Sequence, residues 1–210
     1  MRCLPFSSEN DIAAAIPRAA DHLRGGGLLA HPTETVYGLG SRPDAGSMAA
    51  LARLKGRQEN KPFLLLVSHR DMADAWGLVL NEPARALAEA YWPGPLTLVL
   101  AATGDKLPDE LRGPEGGIAV RWTSHGGMAR LIAEVGHPIT STSANRTGEP
   151  PAGDVRAVAD ALGNPPDLLA LDGGPSVCDT PSTILDCTGT PRLIREGAIP
   201  FNDLRGTVAP

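Results

Sequence analysis

Apolar stretches of four or five residues, closed off by glycine or proline, alternate along this 210-residue chain with longer segments of helical periodicity. Leu28–His31 follows three glycines, 63–67 follows Pro62, and 96–100 follows Pro93-Gly94-Pro95. Runs this short suit strands of a buried sheet. Segments 8–24, 46–56, Glu82–Tyr91, 125–135 and 153–162 instead repeat apolar residues at the spacing of one helix face. Pro17 sits inside the first and should kink or split it. Further strands are expected at Ile118–Trp122, 138–141, 168–171, Thr183–Asp186 and Arg192–Arg195. Several strands follow one another with no helix between them, so the expected fold is α/β with a mixed sheet. One domain over residues 1–202 and a frayed tail at 203–210 complete this reading, with the Gly/Pro-rich segment 101–116 as a mobile loop.

Aromatic residues make up only 4% of the chain, so the core must come from Ala, Leu, Val and Ile. The net charge of −5 argues against a protein coated in basic charge but leaves room for a local basic pocket. Three cysteines without paired spacing imply a reducing compartment. With no apolar leader and no run near the length of a membrane span, a soluble cytoplasmic protein is expected. Phosphate-binding P-loop, dinucleotide, zinc-protease and nucleophile-elbow motifs are absent from the sequence. The five histidines, His31 among them, share no ligand spacing and read as solvated or hydrogen-bonded structural residues.

Four polar clusters remain. Pro32-Thr33-Glu34-Thr35-Val36-Tyr37-Gly38-Leu39-Gly40 crowds two hydroxyls, a carboxylate and a phenol into what reads as a turn, a capping box or a ligand site. Lys55, Arg57 and Lys61 close a helix, either complementing its dipole or converging on a polyanion such as phosphate. In Ser141-Thr142-Ser143-Ala144-Asn145, strand alternation turns Ser141, Ser143 and Asn145 to one side. Ser182 and Thr183 open one strand of the last hairpin, and Arg195 ends the other; Arg195 pairs with Glu196 or Asp186 in the simplest reading. Trp76, Trp92 and Trp122 read as packing residues.

In this order, PTETVYGLG at 32–40, KGR at 55–57 with Lys61, PGPLTLVL at 93–100, STSAN at 141–145, and PSTILD at 181–186 with IREG at 194–197 resemble the threonylcarbamoyl-AMP synthase family, the YrdC-like enzymes of tRNA modification. The resemblance runs from about residue 10 to 200 and is to the short, single-domain form. It implies a twisted mixed sheet with flanking helices around a deep basic cavity. It also implies a nucleotidyltransferase that joins L-threonine, bicarbonate and ATP into L-threonylcarbamoyl-adenylate and releases pyrophosphate. Thr35, Arg121, Ser141 and Ser182 would line the threonine side. Arg57, Lys61, Gly117, Ser143, Asn145 and Arg195 would hold ATP, with Lys55, Arg57 and Lys61 catalytic and Thr33, Tyr37 and Thr183 secondary. Mg²⁺ would arrive on the ATP phosphates, with no protein ligand. The implied partners are a threonylcarbamoyl transferase complex acting on tRNA and weak RNA binding. Alternatives are an RNA-binding module without synthase activity, or a carbamoyl-adenylate-forming enzyme with another acceptor. The chain departs from some relatives at Leu66, Gly117 and Pro151, where those carry His, Thr and Ser.

Overall fold

The computed structural model describes residues 1–56, 62–176 and 178–208. Among them, eleven strands form one mixed sheet: β1 (Arg2–Pro5), β2 (Leu28–His31), β3 (Gly38–Gly40), β4 (Leu64–Val67), β5 (Leu78–Val79), β6 (Leu96–Ala102), β7 (Ile118–Trp122), β8 (Ile139–Ser143), β9 (Leu168–Asp172), β10 (Thr183–Asp186) and β11 (Arg192–Arg195). Their order is β1-β9-β2-β3-β8-β4-β7-β6-β10-β11, with β5 paired to β6. Strand β8 lies mid-sheet and runs antiparallel to both neighbours, pairing Ser143 with Gly38 of β3 and Ser141 with Leu64 of β4. Parallel pairs occur at β1–β9, β2–β9, β4–β7 and β6–β10. The expectation of a mixed sheet is met.

Helix α1 (Glu9–Arg24) starts at a capping box, in which Ser8 Oγ accepts from Asp11 N–H and Asp11 accepts from Ser8 N–H. Ile12, Ile16, Ala19, Ala20 and Leu23 form its buried stripe, which packs on α5 (Gly126–Val135). Pro17 does not split this helix. Residues 13 and 17 both lie on the exposed face, so the Ala13 carbonyl that loses its partner opens to water. At Gly127 of α5, a Cβ would stand 2.7 Å from the Phe6 ring, so glycine is what lets the helix seat.

Helix α2 (Ala45–Lys55) ends at Gly56, whose φ of +63° stops it. A short helix α3 (Arg70–Ala75), α4 (Glu82–Tyr91) and α6 (Val155–Leu162) complete the flanks. The reading of 203–210 as a frayed tail is corrected for 203–208, and 209–210 lie outside the described residues: α7 (Phe201–Val208) packs on α4, Leu204 is fully buried, and Tyr91 Oη donates to Asp203 O at 2.9 Å. Within 101–116, β6 continues to Ala102 and a 3₁₀ turn spans Asp109–Leu111. No helix among the described residues is long and apolar enough to cross a membrane.

Candidate active site

A cavity of about 880 Å³ opens on the sheet. Thr33, Thr35, Tyr37, Lys55, Gly117, Arg121, Ser141, Ser143, Asn145, Ser182 and Arg195 all line it. These residues come from segments far apart in sequence, and every one of them was singled out by the sequence. Arg57 and Lys61 lie outside the described residues. Thr183 stands behind the wall, with its hydroxyl donating to Ile199 O and accepting from Gly197 and Ile199 N–H.

At one end, Arg121 on β7 is buried, with 4% of its side chain exposed. Burial lowers its pKa, and Glu34 opposes that shift. Glu34 Oε1 lies 3.6 Å from Arg121 Nε, and neither atom makes a hydrogen bond, so they form a buried pair held by charge alone. The other carboxylate oxygen accepts from Thr123 Oγ1 at 2.6 Å, which anchors the acid.

The hydroxyls beside this pair have a determined polarity. Thr33 Oγ1 donates to Val36 O (2.8 Å), so its contact with Thr35 Oγ1 (2.9 Å) must use the Thr35 proton. Thr35 in turn accepts from Arg121 Nη1 at 3.2 Å. Beneath them lies His31, fully buried, with Nδ1 3.2 Å from Pro32 O and Nε2 3.4 Å from Ser141 Oγ. Burial first, and then the charges of Arg121 and His125, lower its pKa to about 4. The PTETVYGLG segment is therefore more than a turn. It includes β3, whose glycines leave room for the imidazole. A Cβ at Gly38 would stand 2.6 Å from that ring, and one at Gly40 3.3 Å from it and 2.7 Å from Thr140 O.

At the other end, Lys55 is buried at the C-terminus of α2. Its ammonium meets Ser143 O at 2.5 Å, Asn145 Oδ1 at 2.7 Å, Asn145 O at 3.1 Å and Ser143 Oγ at 3.3 Å. Ser143 Oγ donates to Asn145 Oδ1 (2.6 Å), and Asn145 Nδ2 donates to Glu149 O. Lysine, serine and asparagine thus form one rigid knot at the end of β8. Tyr37 is fixed by two bonds to the 172–174 loop, accepting from Gly173 N–H and donating to Gly174 O. Burial raises its pKa to about 12.

Between the two ends, Arg195 Nη2 donates to Ser182 O at 2.8 Å, and Ser182 Oγ meets Thr97 Oγ1 at 2.8 Å. Partial burial and the neighbouring Arg121 charge lower the pKa of Arg195. The plainer alternative for Arg195, a pairing with Glu196 or Asp186, is not the one the structure adopts. Asp186 belongs to Arg192 (3.1 Å), which also grips Glu115 across the mouth at 2.5 Å. Sequence reasoning gave Glu115 and Arg192 no part in the cavity, and it named Glu34 and His31 without the roles that their partners give them.

The three departures have structural readings. At Gly117 a Cβ would stand 2.6 Å from both Val99 and Thr188, so a threonine has no room there. Leu66 is fully buried away from the cavity, and Leu64 of the same strand lines it instead. Pro151 lies in the lining.

Comparisons with known proteins agree with this geometry. The Sua5/YciO/YrdC family, described as "Telomere recombination", matches residues 21–197. A threonylcarbamoyl-AMP synthase of Nitrosococcus oceani is 42% identical over 154 residues, 72% of this chain and 82% of that protein. One from Chromohalobacter salexigens is 40% identical over 177 residues, 84% and 94% of the two chains. Pyrococcus abyssi Sua5, solved in complex with L-threonine, superposes with a TM-score of 0.88 at 30% identity. That match covers 99% of this chain and 60% of the Pyrococcus chain, so this chain spans less than two thirds of that protein. E. coli YciO, at 24% identity and a TM-score of 0.80, shares the fold over 99% of this chain and 98% of its own.

Proposed function

The chain belongs to the Sua5/YciO/YrdC family, and from that premise we propose that it is an L-threonylcarbamoyl-adenylate synthase. It joins L-threonine, bicarbonate and ATP, releases pyrophosphate, and supplies the intermediate for threonylcarbamoyl-adenosine in tRNA. One observation carries the reading. A single cavity, at about 880 Å³ near the upper end of ligand-site volumes, brings a buried guanidinium with hydroxyls together with the Lys55–Ser143–Asn145 knot.

The reaction makes two physical demands: a carbamate oxygen held in line with the α-phosphate, and charge neutralised on the triphosphate. Arg121 suits the amino-acid carboxylate, because a guanidinium fork matches it bidentately. Thr35, Ser141 and Ser182 suit the ammonium and hydroxyl of threonine. Ser143, Asn145 and Arg195 suit the nucleotide, and Arg57 and Lys61 are assigned to its phosphates on sequence grounds alone. Lys55, expected to be catalytic, is engaged by Ser143 and Asn145 and is assigned instead to holding the strand end in shape. No side chain is required as a nucleophile, so catalysis is positioning and electrostatics.

Mg²⁺ would enter on the triphosphate and help neutralise it. Among the described residues, no three His, Cys, Asp or Glu side chains converge on a metal site. Of the three described carboxylates that line the cavity, Glu115, Glu149 and Asp186, the first and last are engaged by Arg192. No residue of this chain is assigned to the metal, and no step is derived through it. A transferase complex that passes the group to tRNA belongs to the same proposal.

The test is pyrophosphate release measured with threonine and bicarbonate each added or withheld. Dependence on both is expected, and release indifferent to either would refute the reading. A site built to bond a hydroxyl should also rank threonine first, serine second and 2-aminobutyrate last.

A further inference from the structure

His31 lies under the amino-acid end with no contact to the cavity, yet the packing around it is arranged for an imidazole. Gly38 gives up its side chain to it, since a Cβ there would stand 2.6 Å from the ring and 3.0 Å from Ser141 Oγ, and at Gly40 the ring lies 3.3 Å from where a Cβ would be, behind the nearer Thr140 O. The ring is fully buried, so both nitrogens must be matched by the protein. Its partner at Nδ1 is the Pro32 carbonyl, which only accepts, so Nδ1 carries a proton. A neutral ring then leaves Nε2 as an acceptor facing Ser141 Oγ. The fixed charge that acts on the ring, Arg121, opposes a second proton.

We infer that His31 is a positioning residue for the amino acid: it draws the Ser141 proton inward, so that Ser141 offers only lone pairs to the cavity. The neighbouring relay from Arg121 through Thr35 and Thr33 to Val36 O does the same for Thr35. Two hydroxyls that would otherwise rotate are thereby set as acceptors beside a guanidinium set as a donor. The wall selects a ligand that carries donors, an ammonium and a hydroxyl, next to a carboxylate. A diacid of the same size meets lone pairs and is rejected. The 3.4 Å Ser141–His31 separation is at the long end for a hydrogen bond, and the role inferred for His31 requires it to tighten as the ligand engages.

This inference rests on the proposed function, and the experiment separates the two. Nitrogen-15 NMR of histidine-labelled wild-type protein, with His31→Phe to assign the resonance, reads the tautomer without any ligand. Protonated Nδ1 and bare Nε2 are expected, and the opposite tautomer overturns the inference. In the pyrophosphate assay, His31→Phe and His31→Asn should raise the KM for threonine about tenfold while leaving the KM for ATP within about twofold. Ser141→Ala should raise the threonine KM similarly, and adding His31→Phe to it should cost little more. Unchanged threonine KM, or equal rises for threonine and ATP, overturns the inference while the function stands. Wild-type protein that releases no pyrophosphate with threonine sinks the function, and the tautomer remains readable. If neither variant folds, the wild-type tautomer still decides, with the His31 resonance assigned by replacing His22, His69, His125 and His137 in turn.

Discussion

The floor of the cavity and its mouth are built on opposite principles. At the floor, Glu34, Arg121, Thr35 and His31 are sequestered between central strands, and most of their polar atoms already have protein partners. At the mouth, Arg192 bridges Asp186 and Glu115 with 60% of its side chain in water, and Ile194 is an exposed apolar residue of β11. A buried ion pair is costly to break from one side, whereas an exposed one contributes little and is screened by salt. On the proposed function, the floor is the part expected to set which ligand fits, and the mouth the part expected to vary with modest effect.

The largest expected break in this contrast is Arg121→Ala. It leaves the Glu34 carboxylate buried without its counter-charge, and chemical denaturation should show a loss of about 3–5 kcal/mol together with loss of threonine binding. If Glu34→Gln/Arg121→Met is more stable than Arg121→Ala alone, the stranded charge is the cause.

Next comes the acid limb. The folded-state pKa of His31, about 4, lies below its unfolded value, so the unfolded chain takes up a proton first as pH falls. Stability should drop between pH 6.5 and 4 by about 3 kcal/mol, and His31→Phe should flatten that limb.

A smaller effect is expected at Gly38→Ala. The added Cβ meets both the His31 ring and Ser141 Oγ, so the threonine KM should rise more than the ATP KM in steady-state kinetics. The smallest belongs to the mouth. Arg192→Ala should change turnover by less than about threefold and should erase part of its salt dependence. A loss as large as that at Arg121 would abolish the contrast. Asp186 gives a further reading of the same region: bonds from Thr188 and Arg192 hold its carboxyl below the usual range despite its burial. The stability it adds is complete above its unfolded pKa and is lost as pH falls through the lower folded value.

Periodicity made much of the fold legible. Helix Glu82–Tyr91 and strands Ile118–Trp122, Thr183–Asp186 and Arg192–Arg195 are found where the pattern puts them. Strand β3 escapes such reading because Gly-Leu-Gly has poor strand propensity, and its glycines are explained only by packing, Gly38 against His31 and Gly40 against Thr140 O. Helices α3 and α7 are too short for periodicity to declare them, and α7 is fixed by Leu204 and Tyr91. The site was legible as residue types and their order. What could not be read was who pairs with whom: Arg121 with Glu34, Arg192 with Asp186, and Lys55 with the end of β8 are set by the sheet order.

Four oxygens within 3.3 Å of the Lys55 ammonium make the kind of nest in which a free potassium or ammonium ion would sit. Here the ion is carried on a covalent arm, so its occupancy does not follow the monovalent salt around the protein. The hydroxyl of Ser143 and the amide of Asn145 are thus held by a cation that added salt does not displace by simple exchange. Shortening the arm to alanine should turn the nest into an ion-dependent one, with added ammonium restoring part of what is lost.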